Sequence, residues 1–423
     1  MSYRIAGIDV HKKMHALVMT DVSEGGEYTF ERCKFGGSPS DLRTMAQWLI
    51  DKGVQEVVME STAQYWRPVW QALEQHWQPE CRKPGGAGLL HLAQAESNRA
   101  RCGRKRDFED AERLVKRLVA QELILSYVPD AEQRLWRTVS RRKYQLTQDK
   151  VRMRNQLEGL LEEAHIKLTS LVSDLFGASG RRMLHGLAEG ESDPAVLAGL
   201  ADSRLRATQE QLCDALGACA HLHQAYRDLV KMSLEELNLM EEHIAKLDKQ
   251  TAELLKAYQG AVERLAEVPG LGADSAQQII AQVGPAAAAF ESAKNLASWV
   301  GICPGREESA EESKSNRSPK GNRTLRRILN QAAHAAVRCQ GSIFELTFRR
   351  LVPHLGYQQT VWAIGHRICR LIWLILHQGV RYEERGPAVR ETVRKRRVAR
   401  MLRELRSLGY QIDPVQLADG SAR

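Results

Sequence analysis

The first 60 residues carry the order strand, strand, strand, helix, strand, and few arrangements accept it other than a mixed sheet with a covering helix. Residues 3–10 and 15–19 are β-rich runs separated by the charged turn His11-Lys12-Lys13, which predicts an antiparallel hairpin. A third run follows over 28–35, then helical periodicity over 42–50, then the apolar run Val57-Val58-Met59 ending on Glu60. The Gly- and Pro-bearing segment 84–88 reads as a connection, with helical periodicity expected again near His91 and over 110–123.

Within this segment four acids stand where metal chemistry wants them. Asp9 lies on the first strand and Glu60 at the end of a later one, so neighbouring strands of one sheet would bring them together. Asp107 and Asp110 are three apart at a helix start and project from one face. Each of the latter also has an ordinary reading, as a helix cap or an acid favouring the positive end of the helix. A carboxylate ending an apolar strand is harder to dismiss, because burying it without a partner is costly. Phosphodiester chemistry uses such clusters because two divalent ions can stabilise the attacking and leaving oxygens, and oxygen donors suit Mg²⁺, with Mn²⁺ as the substitute.

Between residues 129 and 258 strand signals vanish and apolar residues fall three and four apart, which predicts two long helices. The second keeps a heptad seam through Leu237, Ile244, Leu247 and Leu254; an antiparallel hairpin within the chain and a coiled coil joining two protomers fit it equally. The Gly- and Ser-bearing stretch 177–193 interrupts the pattern as a far turn or an inserted lobe. Further on, Val268-Pro269-Gly270-Leu271-Gly272 precedes a helix and resembles half of a helix-hairpin-helix, whose amides can hold a phosphate. A polar loop is expected over 305–322, leading into a basic helix with Arg323, Arg326 and Arg327. Arginine is dense again over 381–406, including Arg394 and Arg397, which favours contact with a phosphate backbone.

Lys and Arg number 61 against 52 Asp and Glu, a formal charge of +9 that draws a protein toward polyanions. The eight cysteines have no CxxC pairing and no histidines at zinc-ligand spacing, so they read as reduced cytosolic thiols. No apolar run reaches the roughly 18 residues a membrane span needs. A cytoplasmic, nucleoid-associated protein is the expectation.

Motifs in order along the chain resemble one family: the DEDD transposases of the IS-one-ten class of insertion sequences, especially the IS-eleven-eleven branch, with the Piv-like DNA invertases as cousins. The matching pieces are Gly7-Ile8-Asp9-Val10-His11-Lys12, Met59-Glu60-Ser61-Thr62, Tyr65-Trp66-Arg67-Pro68-Val69, Gly103-Arg104-Lys105-Arg106-Asp107 and Asp110-Ala111. Later come Val268-Pro269-Gly270-Leu271-Gly272, Trp299-Val300-Gly301-Ile302-Cys303-Pro304-Gly305, Glu308-Ser309-Ala310 and Lys320-Gly321-Asn322-Arg323. The resemblance implies a multidomain α/β plus all-α fold: an RNase H/RuvC-like N-terminal domain over 1–128 and a helical coiled-coil region over 129–258. A mostly helical transposase domain with a helix-hairpin-helix-like element would span 259–350, and a basic helical segment 351–423.

It implies that Asp9, Glu60, Asp107 and Asp110 hold metal and that Ser309 is the nucleophile that becomes attached to a DNA end. Residue chemistry alone leaves Ser313, Ser315 and Ser318 open in the same loop; the motif position selects Ser309. The family tends to carry a glycine two residues after that serine, where this chain has Glu311. The resemblance further implies a structured bridge RNA that pairs with donor and target DNA, and a homo-oligomer, dimer or tetramer. Nucleic-acid contacts are expected from Lys12, Arg104, Lys105, Lys320, Arg323, Arg326, Arg327, Arg394 and Arg397. Two other readings fit the same residues: a RuvC-type nuclease in which metal-bound water attacks, and a non-catalytic nucleic-acid-binding scaffold.

Overall fold

The computed structural model describes residues 3–22, 28–61, 63–79, 88–95, 98, 106–303, 307–309, 312–315, 318–385 and 399, with backbone alone at 307–309 and 312–315. It divides into two compact units, Met1–Arg134 and Leu135–Arg423.

The first unit is built on a five-stranded sheet in the order β3-β2-β1-β4-β5. Strands β1 (Tyr3–Val10), β2 (Met14–Val22) and β3 (Phe30–Gly36) form an antiparallel meander, while β4 (Glu56–Glu60) and β5 (Leu89–Ala93) add in parallel beyond β1. The 11–13 turn lies between β1 and β2 as its charge predicts. The expected helical periodicity near His91 is corrected: that segment is β5. A five-residue apolar run is too short for period to separate strand from helix, and pairing with β4 decides it.

Alternation along the strands sorts the two faces. Ala6, Ile8, Val10, Val57 and Met59 share a core with helix α1 (Pro39–Asp51) and with Trp70 and Trp77. Ser38 caps α1 reciprocally with Asp41, and Pro39 occupies its first turn. Ile5, Gly7, Asp9, Val58 and Glu60 therefore belong to the opposite face, where α3 (Asp107–Val119) packs through Ala111, Leu114 and Val115. Between α1 and α3 the chain also forms α2 (Trp66–Ala72).

In the second unit, α4 (Ala131–Glu163) and α8 (Gln224–Leu254) are the two long helices expected. They run antiparallel within one chain: Lys150 pairs with Glu241 at 2.7 Å, and Lys143, seven residues earlier, pairs with Asp248, seven residues later. The interrupting stretch is a lobe of short helices, α5 (Ala178–Ala188), α6 (Pro194–Gly199) and α7 (Gln209–Leu216). Leu157 and Leu161 of α4 and Val230, Leu234 and Leu237 of α8 share its core. Arg227, 5 % exposed, donates to the carbonyls of Leu187, Glu191 and Cys219, which satisfies a cation that would otherwise be costly to bury.

A separate core gathers α9 (Gln259–Ala266), α10 (Ala273–Val283), α11 (Ala293–Val300), α12 (Arg323–Ala336), α13 (Ile343–Leu355) and α14 (Tyr357–Gln378). The polar loop expected over 305–322 instead contains a two-stranded hairpin, β6 (Glu307–Ser309) and β7 (Glu312–Ser315). Both strands are short and polar, with no apolar alternation to betray them. No helix among the described residues is long and apolar enough to cross a membrane.

Candidate active site

The carboxylate pocket begins at Gly7. A β-carbon there would stand 2.5 Å from the Ala111 carbonyl oxygen and 2.8 Å from the Val115 side chain, so only glycine lets α3 lie this close to β1. The close approach brings the first turn of α3 over the end of β1. Ligand atoms of Asp9, His11 and Asp107 all lie within 4.8 Å of one another. The His11 Nε2 stands 3.0 Å from Asp9 Oδ2 and 3.4 Å from Asp107 Oδ1, between the two carboxylates.

Asp9 is 9 % exposed, and burial pushes its carboxyl above the ordinary range; the neighbouring negative charges of Asp110 and Asp107 push the same way, while His11 opposes them. Glu60 follows Met59, which pairs with Ile8 on β1, so it stands on the strand beside Asp9. Its carboxylate accepts from the Asn98 Nδ2 at 2.7 Å. Arg113 joins this arrangement, donating to Asp110 at 2.6 Å and to both the backbone and side-chain oxygens of Asn98. Glu60 and Asp110 are thus linked through Asn98 and Arg113, while Asp9 and Asp107 face each other across His11.

The donor set fits a divalent cation. Two carboxylates face one another, one of them with its acidity weakened first by burial and then by like charge, and a bound cation would offset both penalties. Sequence reasoning missed His11, Asn98 and Arg113. Arg113 had a usable signal, since it lies three residues after Asp110 on a helix; Asn98 had none.

In the second unit Ser309 ends β6 and pairs across the hairpin with Glu312. The base of the segment is closed by Arg326, whose guanidinium donates to the Gly301 carbonyl, to the Pro319 carbonyl at 3.0 Å and to the Ser318 hydroxyl at 2.9 Å. The same guanidinium lies 4.7 Å from the centre of the Trp362 ring. Gly321 packs on the backbone of Val300, where a β-carbon would meet the carbonyl oxygen at 2.2 Å.

Two of the residues expected to contact nucleic acid are engaged within the chain. Arg326 is committed to the chain's own carbonyls. Arg327 donates to Gln278 at 2.7 Å, lies over the Tyr144 ring at 4.1 Å and is lowered in basicity by burial. Lys12, Lys320 and Arg323 are exposed. Arg104, Lys105, Arg394 and Arg397, like Glu311, lie outside the described residues.

At the helix-hairpin-helix-like turn, Gly270 takes φ +89° and presses on α12, where a β-carbon would meet the Ala332 oxygen at 2.2 Å. Asp274 in the first turn of α10 pairs with Lys143, so a carboxylate of the chain already stands near the amides expected to hold a phosphate.

Two family models match the chain: a DEDD-type transposase domain over residues 6–166, and the model described as Transposase IS116/IS110/IS902 family over residues 262–348. Together they cover more than half of the sequence. By sequence, the chain is an IS110-family transposase. A probable family 20 transposase of Pseudomonas aeruginosa is 25% identical over 315 residues, spanning 73% of this chain and 82% of that protein. An uncharacterized 43.6 kDa protein of insertion element IS110 from Streptomyces coelicolor is 24% identical over 263 residues, 57% of this chain and 63% of that protein. A crystal structure of the Aquifex aeolicus Ppx/GppA family member aligns over 57% of this chain and 99% of its own at 10% identity and a TM-score of 0.17, too low to bear on the fold. The DEDD transposase domain contains the acidic pocket, and the family implies DNA as substrate, divalent-metal use and an RNase H-like N-terminal unit.

Proposed function

We propose that this transposase is a site-specific recombinase that cuts and rejoins DNA strands through the Ser309 hydroxyl, assisted by Mg²⁺ at Asp9, Glu60, Asp107 and Asp110. The observation that carries the metal half is the facing of Asp9 and Asp107 beneath a helix held against β1 at Gly7. The nucleophile half is supported by a serine on a hairpin whose base Arg326 closes with three hydrogen bonds. A bound divalent ion supplies charge neutralisation at the phosphate and at the oxygens that enter and leave.

The chain's own residues do the rest. In the first half-reaction a bond forms between Ser309 Oγ and phosphorus as the bond from phosphorus to one sugar oxygen breaks. The serine proton passes to a base, and the departing oxygen takes one up. Rejoining reverses these steps with the partner strand's hydroxyl. Asp9, with its raised affinity for a proton, is suited to hold one when no cation is present. Arg113 and Asn98 keep Asp110 and Glu60 oriented.

Exposed Lys12, Lys320 and Arg323, together with Arg104, Lys105, Arg394 and Arg397, would hold phosphate backbones, with a structured bridge RNA supplying sequence choice by base pairing. The working form is a homo-oligomer, dimer or tetramer. Incubating the full chain with labelled donor and target DNA, its transcribed flanking RNA and Mg²⁺ should trap a covalent protein–DNA adduct that maps to Ser309 and is absent in Ser309→Ala. Undiminished recombination by Ser309→Ala would reduce the proposal to metal-dependent hydrolysis. Full activity of Asp9→Ala or Glu60→Ala would remove the metal half as well.

A further inference from the structure

We propose that the groove between α13 and α14 holds a single DNA nucleotide, unstacked from its strand next to the phosphate that is cut. The proposal deepens the Ser309 reading and rests on it for its place in the reaction. Ile302 and Ser318, on either side of the serine hairpin, both line this groove, whose volume is about 610 Å³. That is room for one nucleotide rather than a duplex, and it falls within the usual range for small-ligand sites.

The walls have two chemistries. Leu351, Leu355 and the Trp362 ring are apolar surfaces on which a base can lie. Gln358 and Gln359, both exposed, offer amide donors and acceptors of the kind a base edge pairs with. Arg326 covers Trp362 at 4.7 Å, and the Trp362 Nε1 is buried with no acceptor in the chain.

Charge then separates a nucleotide from an apolar peptide. Arg367 lines the groove; burial lowers its basicity, and the nearby charges of Arg350 and Arg370 lower it further. Among the described residues no carboxylate pairs with any of the three; the bond Arg367 makes is to the Thr347 hydroxyl at 3.4 Å. A groove arginine reinforced by two nearby cations, with no counter-charge and with an aromatic platform in the same groove, suits the phosphate and the base of one residue of a strand.

The test uses the full chain in EDTA with two duplexes, one fully paired and one carrying a single extrahelical 2-aminopurine. In wild type the fluorescence of the bulged probe should fall severalfold on binding, as the base stacks in the groove. Trp362→Leu should bind the bulged duplex roughly tenfold more weakly, the order expected for losing one base-on-aromatic stack, while binding the paired duplex unchanged. Should Trp362→Leu fold poorly, Ala363→Met, which fills the groove from a partly exposed helix position, should show the same selective loss. Equal affinity of wild type for the two duplexes, or an Ala363→Met protein indistinguishable from wild type, overturns the pocket. Ser309→Ala should keep the fluorescence response. A normal response together with an adduct that survives Ser309→Ala defeats the nucleophile reading alone, and a Ser309-dependent adduct without the response defeats the pocket alone.

Discussion

Replacing Asp9 with Asn should make the metal-free protein more stable at neutral pH, and the size follows from the pocket. Ligand atoms of Asp9 and Asp107 lie within 4.8 Å of each other. Burial is the largest penalty on the Asp9 charge, and the like charges of Asp110 and Asp107 add to it; two unit charges at that separation would repel by at most roughly 3 kcal/mol at an effective dielectric of about 20. His11 between them and the partial exposure of Asp107 reduce this to about 1–2 kcal/mol. The folded protein holds the Asp9 proton more tightly than the unfolded chain does, so this group's contribution is favourable at and below the ordinary carboxylate range and is lost as pH rises through its raised folded value.

Asp9→Asn should therefore melt about 4–8 °C higher than wild type in EDTA near pH 7, with the advantage vanishing in acid. Mg²⁺ at ten times its dissociation constant adds about 1.4 kcal/mol to the wild type by mass action and should add little to the variant. Differential scanning calorimetry with and without Mg²⁺ reads both effects. An Asp9→Asn protein that melts lower than wild type in EDTA, or that gains as much from Mg²⁺, would refute the crowded-carboxylate account.

Gly7→Ala should destabilise the first unit by about 1–3 kcal/mol, because the added methyl meets the Ala111 carbonyl and α3 must retreat. The Mg²⁺-induced rise in Tm should shrink with it, and a variant with wild-type Tm and metal response would show that the close approach is dispensable. Arg326→Gln should cost about 2–3 kcal/mol, local to the hairpin, since three hydrogen bonds from a partly exposed cation are lost. Hydrogen exchange of a peptide spanning residues 301–321 should accelerate severalfold or more and adduct formation should fall; unchanged exchange would mean the hairpin is held by something else. In Ser309→Ala the adduct should disappear with Tm unchanged, measured on the same preparation.

Much of the first unit is legible in the chain because its signals are local. Strand alternation places Asp9 and Glu60 on one face, and a three-residue spacing places Asp107 and Asp110 on one helix. Boundaries moved modestly: β2 extends to Val22 and α3 starts at Asp107 rather than 110, because sheet pairing and the close packing on Gly7 extend what periodicity alone delimits. The strand at Leu89–Ala93 was illegible, since five apolar residues have no diagnostic period.

What remained for the tertiary structure is the partnering of polar groups. The three-residue spacing of Arg113 from Asp110 is legible, but Asn98 and Arg113 are far from Glu60 in sequence, and nothing there reveals that they connect it to Asp110. Arg326 looks in sequence like one more cation on a basic helix, yet folding turns it onto the Gly301 and Pro319 carbonyls. Residue order and period specify which way a side chain faces along its own element; which distant group it then meets depends on how elements pack, and hydrogen bonds and charges are satisfied only at that stage.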